Sequence, residues 1–306
     1  MTLKQVGAAL LVGGVAAAAA AKAAKARDAL GEPESGLARP VDRKRTILVT
    51  GAASGIGLNT VRLFLAKGWF VGAFDLDEEA LRKALGDRSA SSVVLGRVDV
   101  CDGDSCKSAV ETFLRAAPGG AMDALFNCAG ILTIEEFERI PLARQQLIID
   151  VNCKGVINMT LPALPALKEA RGCIITMASG SSVAGIPYHV TYAATKAFVY
   201  SFTEGLRTEL SPQGVRVCDV SVNYVATPMT ATQQWSKGSF LVKNNFATAS
   251  SVAGTVWDAL HKATRFNEHF YVDDVTAKTF TIVALSRALG LSYHTKLIAE
   301  SMQAKI

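Results

Sequence analysis

The chain has 306 residues, of which 50% are hydrophobic and 19% are charged, so it can bury one substantial core or two small ones. Its formal net charge is +5, but the first 45 residues carry eight Lys or Arg against four Asp or Glu and account for most of that excess. The remaining body is nearly neutral and has no basic stripe, which argues against a nucleic-acid partner.

The first 45 residues differ in character from the rest of the chain. Val6 to Ala21 is uninterrupted apolar sequence with Lys or Arg on both sides. It is shorter than the roughly 20 residues that span a bilayer, so a membrane anchor, a cleaved signal peptide and an Ala-rich helix all remain open. The Gly, Pro and charged residues of "GEPESGLARPVDRKR" are typical of a linker. We therefore expect an extension over residues 1–45 and a folded domain over residues 46–275.

From Thr46 onward, short apolar runs alternate with helical patterns. The runs predicted as strands are "TILVT", "WFVGAFD", "SVVLGRVDV", "ALFNCAG", "CIITMAS" and "VRVCDVSV". The predicted helices run from about Gly55 to Lys67, through "EEALRKAL", from about Ser108 to Ala116, from about Leu142 to Ala170 and from about Tyr188 to Leu210. Apolar strands that alternate with helices indicate a parallel sheet covered on both faces. The predicted fold class is α/β, a doubly wound parallel sheet (Rossmann fold), which binds its ligands at the carboxyl ends of the strands.

Glycines mark the end of the first predicted strand. The motif "TGAASGIG" places Gly51, Gly55 and Gly57 between a strand and a helix. Glycine there lets the backbone turn sharply and approach a pyrophosphate, while the helix N-terminus supplies amide donors. A glycine-rich turn in an ordinary loop is the alternative, but the strand before it and the helix after it favour a dinucleotide site.

Asp75 ends the second predicted strand, 24 residues after Gly51. A carboxylate at this place can accept hydrogen bonds from the adenosine ribose hydroxyls and repels a 2′-phosphate, which favours NAD over NADP. The alternative is that Asp75 caps the next helix, a role for which Asp77 competes.

Tyr192 and Lys196 stand four residues apart in "TYAATKAF", a spacing that puts them on one face of a helix. Such a pair also occurs on exposed helix surfaces. A Tyr that exchanges protons near neutral pH needs a pKa well below its ordinary value of about 10, and a cation one helical turn away acts in that direction. The pair is therefore a candidate for acid–base chemistry.

Taken together, several motifs are similar to those of the short-chain dehydrogenase/reductase family, in its compact single-domain branch. They are "TGAASGIG", "VDV" with Asp99, "NCAG" at residues 127–130, "VNCKG" with Asn152, Ser179, and "YAATK". The resemblance covers about residues 44–275. It implies an NAD-dependent oxidoreductase, NADP being less favoured, that interconverts a secondary alcohol and a ketone.

The resemblance also implies a role for each matched position. Tyr192 is the proton donor or acceptor, and Ser179, 13 residues before it, hydrogen-bonds the substrate oxygen. Lys196 holds the cofactor ribose and lowers the pKa of Tyr192, and Asn152 holds a water in a proton relay. The residues expected at the cofactor are Gly51, Ser54, Gly55, Ile56, Gly57, Asp75, Asp99, Val100, Asn127, Ala129, Gly130, Tyr192, Lys196 and Thr227.

Two departures from the family pattern lie at the same site. Cys128 stands where the family has a second Asn, and Val222-Asn223 stands where it has Pro-Gly, which affects the wall around the nicotinamide. All four reacting groups are nevertheless present, which argues against the main alternative, a non-catalytic NAD-binding sensor or scaffold. A serine hydrolase is disfavoured because Ser179 is not in a Gly-x-Ser-x-Gly turn.

The cysteines and histidines predict no metal site. The six Cys are scattered, several within apolar runs, and are typical of buried free thiols in a reducing compartment. The four His form no pair with the spacing of metal ligands.

The segment after Thr227 and the carboxyl terminus bear on substrate and location. "MTATQQWSKGSFLVKNNFATA" is long, and Trp235, Phe240, Leu241 and Phe246 within it predict an apolar lid over a lipophilic alcohol or ketone, such as a sterol, retinoid or long-chain compound. Core or subunit packing of these side chains is the alternative. Residues 276–306 continue as helical sequence and end in "AKI", a loose match to a peroxisomal signal. We expect membrane association with the catalytic domain in a reducing compartment, peroxisome and cytoplasm being alternatives, and a homodimer or homotetramer.

Overall fold

The computed structural model describes residues 41–86, 91–231, 246–263 and 269–273. Several predictions lie outside the described residues. These are the apolar segment 6–21 with most of its linker, the helical extension 276–306, and Trp235, Phe240 and Leu241 of the predicted lid.

The described residues form a seven-stranded parallel sheet in the order β3-β2-β1-β4-β5-β6-β9. Its strands are β1 (Thr46–Thr50), β2 (Phe70–Asp75), β3 (Val93–Arg97), β4 (Ala124–Asn127), β5 (Cys173–Met177), β6 (Arg216–Ser221) and β9 (His269–Tyr271). A separate pair consists of β7 (Val225–Ala226) and β8 (Ala247–Thr248). The central strands are buried on both faces, as their continuous apolar runs predict, so the doubly wound α/β fold is confirmed.

The crossover helices are α1 (Gly55–Ala66), α2 (Glu78–Leu85), α3 (Gly103–Ala116), α4 (Leu142–Ala170), α5 (Val190–Leu210) and α6 (Ala249–Lys262). Helix α3 begins five residues before the predicted Ser108, because the Asp102 carboxylate accepts hydrogen bonds from the backbone of Asp104 and Ser105 and so caps an earlier turn. Helix α5 begins two residues after the predicted Tyr188, whose φ of 64° is not helical.

Helix α4 is the predicted long helix, but it contains a π turn over Asp150–Lys154. Of the described helices, it is the one long and apolar enough to cross a membrane. It nevertheless packs on the sheet, where Met159, Ala163 and Leu167 are completely buried. Packing in the core thus explains the apolar residues on its buried face, whereas other apolar residues of α4 are exposed.

The core lies on both sides of the sheet. On one side, α1 and α6 pack together, with Phe64 at 5.1 Å from Trp69 and 5.2 Å from Trp257 between ring centroids. On the other side, α3 and α4 bury Phe113 and Met159 against the strands. The sequence patterns did not predict α6. The sheet opens at the carboxyl ends of its strands, above α1 and beside α5.

Candidate active site

A cavity of about 1180 Å³ lies at the carboxyl ends of the strands. Fourteen of the predicted site residues line it, namely Gly51, Ser54, Gly55, Ile56, Gly57, Asp75, Asp99, Val100, Ala129, Gly130, Ser179, Tyr192, Lys196 and Thr227. Asn127 and Asn152 are the two predicted residues that are not in its wall.

The glycine turn forms one end of the cavity and leads into α1. Gly51 has a φ of +65°, and a Cβ added to it would lie 2.9 Å from the Cα of Ala129. A Cβ on Gly57 would lie 2.1 Å from the carbonyl oxygen of Gly51. The strand-turn-helix passage therefore requires glycine at both positions. It leaves backbone amides at the helix N-terminus facing the cavity, which suits a pyrophosphate.

Asp75 and Asp77 have separate tasks at the end of β2. The Asp75 carboxylate accepts a hydrogen bond from the backbone N–H of Ala53 at 2.8 Å and another from that of Asp77 at 3.0 Å. Asp77 is the residue that caps α2, since its Oδ1 accepts from the backbone N–H of Ala80 at 2.9 Å. The alternative in which Asp75 caps this helix is therefore wrong. Asp75 is instead fixed against the glycine turn with its carboxylate in the cavity wall.

Two predicted site residues act from behind the wall. Asn127 is buried and donates from Nδ2 to Thr160 Oγ1 at 3.0 Å, so it ties β4 to α4 and does not line the cavity. Asn152 lies in the π turn of α4. Its Oδ1 accepts from the backbone N–H of Ile131 at 2.9 Å, and its Nδ2 donates to the Ile131 carbonyl at 3.0 Å and to Thr195 Oγ1 at 3.1 Å. The side chain thus clamps the loop after β4 onto α5. Its role in a proton relay stays a prediction.

Ser179, Tyr192 and Lys196 meet in the cavity wall. Lys196 is buried on α5, donates to the Met177 carbonyl at 2.7 Å, and holds its Nζ 5.6 Å from the centroid of the Tyr192 ring. Ser179 follows the end of β5, and its Oγ lies 2.8 Å from Ser181 Oγ. A strand end and one helix face therefore bring together the hydroxyl, phenol and ammonium groups that were predicted to react.

Burial governs the protonation of this group. It raises the pKa of Tyr192 to about 12, a rise that the hydrogen bond with Ser179 opposes. It also lowers the pKa of Lys196 to about 8. The predicted lowering of the Tyr192 pKa by Lys196 is therefore wrong for the chain alone, because desolvation of the phenolate dominates and the opposing effect comes from Ser179.

The same wall also contains His189 and Tyr224, which the sequence motifs did not predict. Burial lowers the pKa of His189, and its Nδ1 lies 3.0 Å from the Pro187 carbonyl oxygen, which can only accept. The ring is therefore neutral with its proton on Nδ1. It meets the Tyr224 ring edge-on, with 6.5 Å between the centroids. His189 lies three residues before Tyr192, and this spacing could have indicated that the two side chains lie on the same side of the helix start.

The departure at Val222-Asn223 keeps the wall closed. Both residues line the cavity, and the Val222 carbonyl accepts from the backbone N–H of Gly180 at 2.9 Å. A Cβ on Gly180 would lie 1.9 Å from Asn223 Oδ1, so glycine beside Ser179 makes room for the Asn side chain.

Comparison with known proteins agrees with this geometry. A family model described as short chain dehydrogenase matches residues 45–237. The chain belongs to the short-chain dehydrogenase family. Membership of this oxidoreductase family accounts for the fold, the glycine turn and the order of the motifs along the chain.

Individual relatives differ in their named activities. The chain is 34% identical over 192 residues to 3-oxoacyl-(acyl-carrier-protein) reductase FabG of Thermotoga maritima, covering 61% of this chain and 76% of the relative. It is 37% identical over 188 residues to 3-alpha-(or 20-beta)-hydroxysteroid dehydrogenase of Mycobacterium bovis, covering 61% and 71%. A crystal structure of 3-ketoacyl-(acyl-carrier-protein) reductase from Brucella melitensis complexed with NADH superposes with a TM-score of 0.67 at 26% identity, covering 76% of this chain and 97% of that one.

Proposed function

We propose that this protein interconverts a secondary alcohol and a ketone with a nicotinamide cofactor, and that it favours NAD over NADP. The observation that carries the proposal is the meeting of Ser179, Tyr192 and Lys196 in the wall of the cavity that also contains the glycine turn. A cofactor at the turn and a substrate at Tyr192 would share one cavity.

The residues present fit a nicotinamide dinucleotide. Gly51 and Gly57 form a cradle that any Cβ would fill, and α1 offers its N-terminal amides to a pyrophosphate. Asp75 would accept hydrogen bonds from the ribose hydroxyls, and Lys196 would donate to the second ribose. The bound cofactor supplies hydride transfer; the protein supplies binding, orientation and the proton.

Tyr192 carries the proton step in this proposal. In reduction its hydroxyl donates a proton to the substrate oxygen, and its pKa of about 12 keeps it protonated for that purpose at neutral pH. Oxidation runs the same step in reverse and requires Tyr192 as the phenolate, which accepts the proton from the alcohol after the Tyr192 proton has been released to solvent. Ser179 donates a hydrogen bond to the same oxygen, for which it exchanges its contact with Ser181.

The substrate in this proposal is lipophilic. The wall of the cavity that contains Tyr192 includes the apolar or aromatic side chains of Ile131, Leu132, Ala184, Ile186, Tyr224, Met229 and Phe246. Phe246 belongs to the predicted lid, and its ring lies 6.2 Å from that of Tyr224. Apolar, ring-lined pockets suit substrates with little polar surface. The hydroxysteroid dehydrogenase among the relatives supports a cyclic alcohol of this kind.

The test is NAD(H)- and NADP(H)-linked turnover, followed at the reduced-nicotinamide absorbance band, over sterol, retinoid and aliphatic alcohols and their ketones. We expect turnover with NAD and a preference for the hydrophobic members. A preference for short, water-soluble alcohols would contradict the lipophilic substrate. Tight NADH binding without turnover on any member would instead favour a non-catalytic sensor or scaffold.

We further propose a homo-oligomer that associates with a membrane in a reducing compartment. The six cysteines are free thiols, which suits such a compartment. Apolar side chains exposed along α4 support self-association. Membrane association rests on the sequence of residues 6–21, and fractionation of cells that produce the full chain and a chain lacking those residues tests it.

A further inference from the structure

A row of polar side chains crosses the sheet on the face covered by α5. The strand register pairs Asn127 with Thr176, Thr176 with Asp219, and Asp219 with His269. Paired residues on neighbouring parallel strands point to the same face and lie about 4.8 Å apart. Three members are almost completely buried, with exposures of 3%, 1% and 0% in chain order. This is unusual in strands that otherwise carry apolar residues.

Asp219 and His269 form a close pair within the row. His269 Nδ1 lies 2.6 Å from Asp219 Oδ2, and the Ser221 hydroxyl donates to Asp219 Oδ1 at 3.4 Å. The His269 ring stacks on Tyr200 of α5, with centroids 3.9 Å apart and planes at 5°. Its Nε2 lies 3.8 Å from Glu204 Oε1, and the Glu204 side chain is half exposed. A fully buried carboxylate is thus held by an imidazole that also contacts α5.

The same helix carries Lys196. Lys196, Tyr200 and Glu204 follow one another at four-residue intervals, so they lie along one face of α5. The Lys196 ammonium donates to the carbonyl of Met177, the residue that follows Thr176 and is therefore beside the Asp219 strand. A buried cation and a buried anion consequently lie on neighbouring elements, and burial strengthens the interaction between charges.

We propose that Asp219 and His269 are a positioning pair for Lys196, in which the buried carboxylate keeps the ammonium charged and His269 keeps the carboxylate ionised and in place. This inference rests on the proposed function, since the charge on Lys196 matters for holding a cofactor ribose. Neither residue touches the cavity wall, so the pair acts through Lys196.

The electrostatics of Lys196 supply the reason for such a pair. Burial lowers its pKa to about 8, and Cys128, Cys153 and Asp219 act in the opposite direction. Of these three, Asp219 is the group that is ionised at neutral pH in the ordinary case. Removal of its charge would let Lys196 lose its proton at a lower pH. Removal of the His269 imidazole would take one hydrogen-bond donor away from the buried Asp219 carboxylate and favour its protonation. Lys196 would then also lose its proton at a lower pH.

Other charged or titratable groups face this region. Glu204 and Arg207 lie further along α5, Arg216 begins β6, and Tyr200 stacks on His269. The Glu204 carboxylate is screened by water because its side chain is half exposed. It therefore provides a matched control, a carboxylate near His269 that lacks burial.

The test is NADH binding to the full chain, followed by NADH fluorescence from about pH 6 to about pH 9.5, a range that spans the titration of Lys196. For the wild type we expect the affinity to fall with a midpoint near the Lys196 pKa of about 8. For Asp219→Asn the midpoint should move down by about one pH unit. His269→Leu should move it in the same direction, whereas Glu204→Gln should leave it in place.

His269→Asn is the conservative variant, because its amide can still donate to Asp219. It should retain the wild-type midpoint of NADH binding. If Asp219→Asn does not fold, the comparison of His269→Asn with His269→Leu tests the role of the pair. If Asp219→Asn and His269→Leu fold and keep the wild-type midpoint of NADH binding, the role of the pair is overturned, while the proposed function is unaffected. Failure of the wild type to bind NADH at any pH would overturn the proposed function, and this inference with it.

Discussion

At the scale of single residues, neighbouring groups of the site have different structural roles. Asp75 and Asp77 are two residues apart, yet one supports the glycine turn and the other caps α2. Their sequence positions alone left both assignments open. The hydrogen bond from the Ala53 amide to Asp75 decides between them, because it fixes one carboxylate toward the cavity.

Asp75→Ser should relax the discrimination against NADP. Without the carboxylate, a 2′-phosphate meets less repulsion, so the ratio of kcat/KM for NAD to that for NADP should fall about tenfold or more, corresponding to about 1.4 kcal/mol. Steady-state kinetics with both cofactors measure this ratio. Asp77→Ser is the control, which keeps an N-cap and should leave the ratio unchanged. An unaltered ratio in Asp75→Ser would show that cofactor choice is made elsewhere.

At the scale of elements, the site is built at the ends of strands and the beginnings of helices. β1 passes into α1 through glycines that no other residue could replace without a clash, and the π turn of α4 brings Asn152 to the loop after β4. α5 carries Tyr192 and Lys196 one turn apart. The positions of these elements, more than the loops between them, determine the geometry of the reacting groups.

Gly57→Ala and Gly254→Ala should have opposite effects on stability. The added methyl at Gly57 would meet the Gly51 carbonyl oxygen at 2.1 Å, so the free energy of unfolding should fall by about 2 kcal/mol or more. Gly254 lies within α6, and apart from its own helix backbone no atom of the described residues lies within 4 Å of an added Cβ. Alanine at position 254 should raise the free energy of unfolding by up to about 1 kcal/mol. Urea denaturation measures both, and equal effects would contradict the close approach at the turn.

The sequence predicted much of this arrangement because its motifs combine local and positional information. The glycines, Asp75, Ser179, Tyr192 and Lys196 each lie next to a strand or helix boundary that the apolar pattern also marks, so their meeting at one sheet edge followed from topology. The Asp219–His269 pair could not be predicted in this way. It joins residues 50 positions apart, and only the register of β6 and β9 brings them together.

Two further points have physical causes. The predicted direction of the Tyr192 pKa was wrong because burial cannot be read from a helical spacing, and desolvation of the phenolate dominates. Asn127 was predicted at the cofactor because its motif lies at a strand end; its side chain faces Thr160, and its contact with a cofactor stays a prediction. Motif position fixes where a backbone lies, whereas the direction of a side chain depends on packing.

At the scale of the whole molecule, α4 carries five of the large apolar side chains that are exposed among the described residues. Leu142 and Leu161 are 71% and 67% exposed, and Ile149 and Ile157 are also exposed on this helix. Several exposed apolar side chains on one helix favour contact with another protein surface. They support the proposed homo-oligomer, in which a second copy would cover this helix.

Leu161→Asp should therefore weaken self-association. A charge at this position would be desolvated in the interface of an oligomer but tolerated on a monomer. Light scattering coupled to size-exclusion chromatography should show a shift from the wild-type mass towards 32.3 kDa, the mass of one chain. Lys168→Ala on the same helix is a control that should keep the wild-type mass. A wild-type chain that already elutes as a monomer would contradict the proposed oligomer.

The most direct test of the account is the turnover of Tyr192→Phe beside that of Tyr188→Phe. The first variant removes the hydroxyl that donates or accepts the substrate proton, and the second removes one from a residue outside the cavity wall. We predict that Tyr192→Phe lowers kcat by about 100-fold or more while NADH binding persists, and that Tyr188→Phe turns over like the wild type. Wild-type turnover by Tyr192→Phe would contradict the assignment of Tyr192 as the acid–base residue.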